Sequence, residues 1–372
     1  MRQKSTLAFS LLLFCSGCGT AYNSGNSGSP SPALVGAAYT MSNATSGNAV
    51  FVFMRNPDGT LKQTASYSTG GLGVGHGLEN QGGLTISSDQ RFLLVVNAGS
   101  NDITAFQIAD QGLKQTARVS SGGLFPVSIT ERTGVIYVLN RGSEAGDPLG
   151  DNISGFRLNP DGMLTPIPAS TTALSIPATN AAQVGLSPDG HLLVVAEHGA
   201  GPIDTYIVGD DGLLSGHLVQ QSAGIGPFGF AFRNASQLYV SEAATASVSG
   251  YTLGPQGTLQ TITAALSTTQ QATCWLSLTP DKKSAYTANT GSSTISVFSI
   301  GSDGSLSLSA AVGATTQGGP LDIAVSSDGQ YLNALTTAGN IEVFRIDPAS
   351  GVLAHLQTLT GLPAGTNGFV SF

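Results

Sequence analysis

Apolar and polar residues alternate with a period of two along most of the chain. That is the spacing of strands whose successive side chains point to opposite faces. One unit recurs. An alternating strand ends in a Ser-x-Asp-Gly type turn, and a second closes on Asn or Glu, usually before a Gly/Ser loop. A third then leads through an Asp-Gly turn into a fourth. Gly83-Leu-Thr-Ile-Ser-Ser-Asp, Phe92-Leu-Leu-Val-Val-Asn97 and Ile103-Thr-Ala-Phe-Gln-Ile108, followed by Leu113 onward, make one copy. Equivalent inward residues of the first strands are Ile86, Ile129, Leu186, Phe232, Leu278 and Val325, spaced by 43, 57, 46, 46 and 47 residues. Four-strand repeats of about 40–50 residues are propeller blades.

The two ends of the pattern are complementary. Ala37-Ala-Tyr-Thr, Ala49-Val-Phe-Val-Phe and Leu61-Lys-Gln-Thr supply three strands without a first, and Asn367-Gly-Phe-Val-Ser-Phe372 is a first strand with nothing after it. Together they complete one blade, leaving no open edge at the seam. The expected fold is therefore all-β: a seven-bladed β-propeller of four-stranded antiparallel blades over residues 34–372. Its ring is closed by N-terminal strands plus a C-terminal strand in one blade.

Composition narrows the partners. Charged residues make up 10% of the chain, Gly numbers 49, and the formal charge is −8. Without clusters of Lys and Arg there is no electrostatic footprint for nucleic acid. Neither a Cys/His zinc spacing, nor a Walker loop, nor a Gly-x-Ser-x-Gly elbow occurs, so no metal and no cofactor is expected. The 141–152 loop holds Glu144, Asp147 and Asp151 without EF-hand spacing and reads as a solvated acidic loop. A monomer is expected.

The N-terminus reads as an address. Arg2 and Lys4 precede the short apolar run Leu7–Phe14, which suits a signal peptide rather than a membrane span. Ser16-Gly17-Cys18 resembles the lipobox of bacterial lipoproteins. The resemblance implies a signal peptide at 1–17 and lipidation at Cys18, with a flexible Gly/Ser/Pro tether to residue 33. The mature protein would then sit in the cell envelope, on the periplasmic face or outer membrane of a Gram-negative bacterium, touching membrane only through its lipid anchor.

Second strands reading Tyr137-Val-Leu-Asn140, Tyr239-Val-Ser-Glu242 and Ala285-Tyr-Thr-Ala-Asn289 resemble the Tyr-Val-Thr-Asn propeller repeat. With Ser-Pro-Asp-Gly, Asn-x-Gly-Ser and Asp-Gly-x-Leu around them, the span 34–372 resembles the lactonase family of seven-bladed propellers, which includes 6-phosphogluconolactonase. The resemblance implies a hydrolase acting on a sugar-type lactone. Gly226-Pro-Phe-Gly229 stands where sugar-lactonase members tend to carry Gly-Pro-Arg-His. The competing reading is a non-catalytic binding or scaffolding propeller displayed on the envelope, with a carbohydrate or an envelope protein as partner.

In a four-stranded meander, the second-to-third loops and the fourth-to-first connections share one end, where seven loops form a natural concave site. Lactone hydrolysis needs a base for water and a donor for the oxyanion. The expected catalytic residues are Glu242 as base, Glu197 as its neighbour, and Arg141 and His198 for the anion. Two adjacent carboxylates would raise one pKa. Asn97, Asn140, Asn289 and Gln183 are expected to bind substrate, with Phe228 and Trp275 stacking on a sugar ring. His76, Glu79, Phe125, Asn180 and Asp322 lead into first strands at the same end.

Overall fold

Seven four-stranded sheets surround a common axis in the computed structural model, which describes residues 36–372 apart from 111, 143–145, 147, 177 and 200. The signal peptide, Cys18 and the tether lie outside the described residues, as do Glu144 and Asp147. Six of the sheets run in sequence order from an inner first strand to an outer fourth, as short turns between antiparallel neighbours require, and the seventh takes its inner strand from the C-terminal end of the chain. The inner strands are Leu84–Ile86, Pro126–Arg132, Ala181–Leu186, Pro227–Asn234, Thr273–Leu278, Pro320–Val325 and Asn367–Ser371, and they contact one another around the axis. We number the blades by chain order. Blade 1 carries Asn367–Ser371 as its inner strand, and blades 2 to 7 follow.

Ring closure is as expected. Asn367–Ser371 pairs antiparallel with Ala37–Met41, matching Tyr39 with Val370 and Thr40 with Phe369. The Thr40 hydroxyl donates to the Gly368 carbonyl at 2.6 Å, the Arg55 guanidinium donates to the Phe372 carbonyl at 3.0 Å, and the Tyr39 and Phe372 rings meet edge to face at 6.0 Å.

The repeat residues have two structural duties. In the Ser-x-Asp-Gly turns, Ser187 donates to Asp189 at 2.5 Å and accepts from the Leu192 amide at 2.9 Å. Ser87 and Ser326 repeat the pattern. The second-strand tyrosines bolt blade to blade. Tyr137, Tyr239 and Tyr286 are fully buried and each donates at 2.9 Å to a turn carbonyl of the next blade, at Gly212, Gly304 and Gly351. A buried phenol needs such an acceptor, and each bond contributes about 1 kcal/mol.

Blade 3 departs from the pattern. Its outer strand is broken into Leu164–Pro166 and Thr172–Ala173, both paired with Asp151–Leu158. Pro166 and Pro168 cannot donate to a ladder. The chain bulges between them, and the Ser170 hydroxyl replaces the missing rung by accepting from the Gly155 amide at 3.0 Å. The bulge contributes to the long 57-residue spacing.

Candidate functional site

The residues that close the second strands point into their own blades. Asn97 donates to Asp102 at 2.6 Å and Thr104 at 2.9 Å, and accepts from Asn48 and Thr69. Asn289 donates to Thr294 and Ser296 and accepts from Thr273, and Asn140 donates to Asn152 at 3.1 Å. Each ties the second strand to the third, and Asn97 and Asn140 also reach the segment arriving from the previous blade. All three are fully buried, so the expected substrate contacts are internal clasps.

Glu242 occupies the same position. Its Oε1 accepts from the Ser222 hydroxyl, the Gly224 amide and the Ser249 hydroxyl, and its Oε2 from the Ser247 hydroxyl, all at 2.7 Å. At 0% exposure, with four donors on its two oxygens, this carboxylate is not offered to the mouth, contrary to the expectation of a base.

Glu197, the clasp of blade 4, pairs with Asp204 of its own blade rather than with Glu242. Its Oε1 accepts from the Ser175 hydroxyl at 2.8 Å. Glu197 Oε2 and Asp204 Oδ1 are buried without a donor, as two facing acceptors are until one carries a proton. Burial, with the Asp204 contact second, pushes Glu197 up to about 8. His217, stacked on Tyr206 at 4.4 Å, reaches Asp204 Oδ2 at 2.9 Å from the outer strand.

At the mouth end, the residues that follow these clasps are Arg141, which is buried, and His198, Ala243 and Thr290, which are half-buried. The mouth is crossed by the chain itself. Between Ser68 and Leu84 the connection has 15 residues, against five after Ser120, Gln221 and Ser267. The extra length forms an arch over the axis. The Gln81 amide donates to the Ala182 carbonyl of blade 4 at 3.0 Å. The Gln81 carbonyl accepts from Ser128 of blade 3 at 2.7 Å. The Gln81 side chain exchanges bonds with both backbone groups of Leu276 in blade 6, at 2.9 and 3.1 Å. In blade 5, a Cβ on Gly229 would lie 2.1 Å from Gln81 Oε1, so only glycine leaves the arch its place.

Arg141 and Trp275 pin the arch from opposite sides. Arg141 donates to the Leu78 carbonyl and to Asn180, with its guanidinium 5.6 Å from the Phe125 ring centre. Trp275 Nε1 donates to the Asn80 carbonyl at 2.7 Å. His198 packs edge-on against Phe228 at 5.3 Å, and Phe228 against Trp275 at 5.0 Å. Phe228 is 3% and Trp275 4% exposed. Their faces are spent on packing, not presented to a sugar as expected.

Gln183 accepts from the Phe230 amide at 2.7 Å and donates to its carbonyl at 3.1 Å, joining blades 4 and 5. Asp322 does the same for blades 7 and 1, accepting from Phe369 at 2.8 Å, and burial pushes its carboxyl up to about 8. Asp151, expected in a solvated loop, is a buried strand residue accepting from Thr179. Burial raises the Cys274 thiol to about 12, which removes it as a nucleophile. Among the described residues, no cluster of three His, Cys, Asp or Glu is arranged to hold a metal.

Of the expected site residues, the mouth thus receives His198, with Arg141 at its wall. The acidic group that does stand open there, Glu79 on the arch, is not among those expected to act. The length of the connection holding it was the available signal.

The family model "Lactonase, 7-bladed beta-propeller" matches residues 36–146, 149–276 and 181–372. No curated protein matches the sequence. Solved structures share the fold at low identity. A candidate 6-phosphogluconolactonase from Bacteroides uniformis is 20% identical with a TM-score of 0.73, covering 90% of this chain and 99% of its own. Its counterpart from Bacteroides fragilis is 19% identical with a TM-score of 0.71, over 92% and 99%. The periplasmic gluconolactonase of Pseudomonas aeruginosa is 19% identical with a TM-score of 0.70, over 90% and 99%.

Proposed function

This chain belongs to the lactonase family of seven-bladed β-propellers, and on that premise we propose that it hydrolyses a sugar-type lactone at the arched mouth. The observation that carries the reading is the mouth itself. A rigid ring presents a carboxylate on Glu79 and an imidazole on His198, which is half-buried with Nδ1 3.4 Å from the Gly226 carbonyl. An acid–base group and a hydrogen-bonding ring on a fixed scaffold are what lactone opening requires.

The substrate favoured is a neutral aldonolactone. A 6-phosphate is best held by free Arg or Lys, and the mouth's Arg141 is 3% exposed and already spans Leu78 and Asn180. Export as a lipoprotein anchored through Cys18, the localisation we propose from the N-terminal pattern, agrees with an unphosphorylated substrate.

The test is direct. The purified full chain is assayed on glucono-δ-lactone and on its 6-phosphate ester, against buffer. Turnover of the neutral lactone with at least tenfold preference is expected. Equal rates, or preference for the phosphate, would sink the neutral assignment, and no turnover of either would sink the hydrolase reading.

A non-catalytic binding propeller is favoured by a different observation: Arg141, Phe228 and Trp275 serve internal structure. Binding of an envelope glycan or protein by a chain inert to every lactone would establish it.

A further inference from the structure

We propose that Glu79 is the general base of this site, an inference that rests on the hydrolase reading above. Three observations converge on it. The first is charge segregation. The other exposed carboxylates among the described residues, Asp58, Asp89, Asp110 and their like, lie in the first-to-second or third-to-fourth turns, at the end of the propeller away from the mouth. At the mouth end, Asp102, Asp151, Glu197, Glu242 and Asp322 are buried and engaged. Glu79 is the described carboxylate there that meets solvent.

The second is how it is held. Leu78 and Asn80 are tucked in at 0% and 1% exposure. The Leu78 carbonyl is gripped by Arg141 of blade 3, and the Asn80 carbonyl by Trp275 of blade 6. The residue between two inward neighbours must face outward. The two grips come from far apart on the ring, so Glu79 stands above the axis. Its charge adds a small contribution to the raised pKa of the Cys274 thiol in blade 6.

The third is backbone strain. Glu79 has φ of +48°, a left-handed conformation that costs a side-chain-bearing residue free energy. Such strain persists where surrounding structure enforces it, often at functional sites. Glycine would sit there without penalty, yet the position carries a carboxylate.

The chemistry follows. Glu79 takes a proton from a water whose oxygen bonds to the lactone carbonyl carbon, giving a tetrahedral oxyanion. The ring C–O bond then breaks as the carbonyl re-forms, and the departing ring oxygen takes the proton back from Glu79. The net change is addition of one water, and the new carboxylic acid releases its proton to solvent. The base is regenerated, and neither a metal nor a redox partner is needed.

The experiment compares the full chain with Glu79→Gln and Glu79→Ala on glucono-δ-lactone, reading kcat/KM against pH, with formate added to the alanine variant. Thermal unfolding at the wild-type temperature or above shows both variants folded, as an exposed residue allows. For a lost general base, kcat/KM should fall by about 100-fold or more. The acid limb of the pH profile should vanish in Glu79→Gln, and formate should restore activity to Glu79→Ala. A fall of less than about tenfold, or a loss that formate does not repair, overturns the role of Glu79 while leaving the hydrolase reading intact. If the wild-type chain opens no lactone, the hydrolase reading itself fails, and the base with it.

Discussion

Trp275 Nε1 and the Asn80 carbonyl lie 2.7 Å apart, joining residues 195 positions apart in sequence. This bond fastens one side of the arch, and Arg141 fastens the other. The central channel is thereby floored by the chain's own backbone, so a ligand entering the mouth meets the arch and not an open pore.

Replacing Trp275 with Phe keeps the ring packing against Phe228 but leaves the Asn80 carbonyl without its donor. A buried acceptor left unpaired costs about 1–3 kcal/mol. We expect that loss in denaturant unfolding, with faster amide exchange at Gln81 than at Leu94. Unchanged exchange at Gln81 would mean that the arch does not depend on this bond.

The tyrosine bolts give a second prediction. Tyr286→Phe removes a hydroxyl that donates to the Gly351 carbonyl, and Tyr239→Phe does the same at Gly304. Each should cost about 1 kcal/mol. The two acceptors lie in different blades, so the double variant should be close to additive. Strong non-additivity in unfolding measurements would show that blades 5 to 7 respond as a single unit.

Acid–base linkage predicts a pH-dependent stability. Burial, reinforced by Asp204, raises Glu197 from an ordinary 4.5 to about 8 in the folded protein. Between those values the folded state holds a proton that the unfolded chain has lost. This contribution is therefore full below the unfolded pKa and disappears as pH rises through the folded one. Glu197→Gln keeps a donor toward Asp204 at every pH. Its melting temperature should decline less than that of wild type between about pH 5 and about pH 9. Parallel declines would place the coupling elsewhere, and Asp322, raised in the same direction by burial, would be the next residue to replace.

Left-handed backbone at non-glycine residues predicts stabilising changes. Gln90 has φ of +61° where the equivalent Gly190 and Gly329 have +76° and +71°. Gln90→Gly should stabilise by about 1 kcal/mol without affecting the mouth, since it lies at the opposite end. Glu79→Gly should also stabilise, but abolish hydrolysis. A variant that gains stability and keeps full activity would separate the strain at Glu79 from function.

The fold was legible because its determinants are local and repeated. Alternation, Ser-x-Asp-Gly turns and Tyr-Val-x-Asn strands act within about ten residues of one another, and the incomplete blade at each end announced closure. The site was less legible. Glu242 and Glu197 end strands in the sequence as a mouth residue would, and only folding brings Ser222, Ser249 and Asp204 to enclose them. Glu79 was visible as a charged residue in a long connection. Its position over the axis depends on partners in blades 3 and 6. A period in sequence dictates which face of a strand is apolar, because neighbouring side chains alternate by covalent geometry. Which buried carboxylate is satisfied and which meets water depends on donors brought from distant blades, and that was decided only when the ring closed.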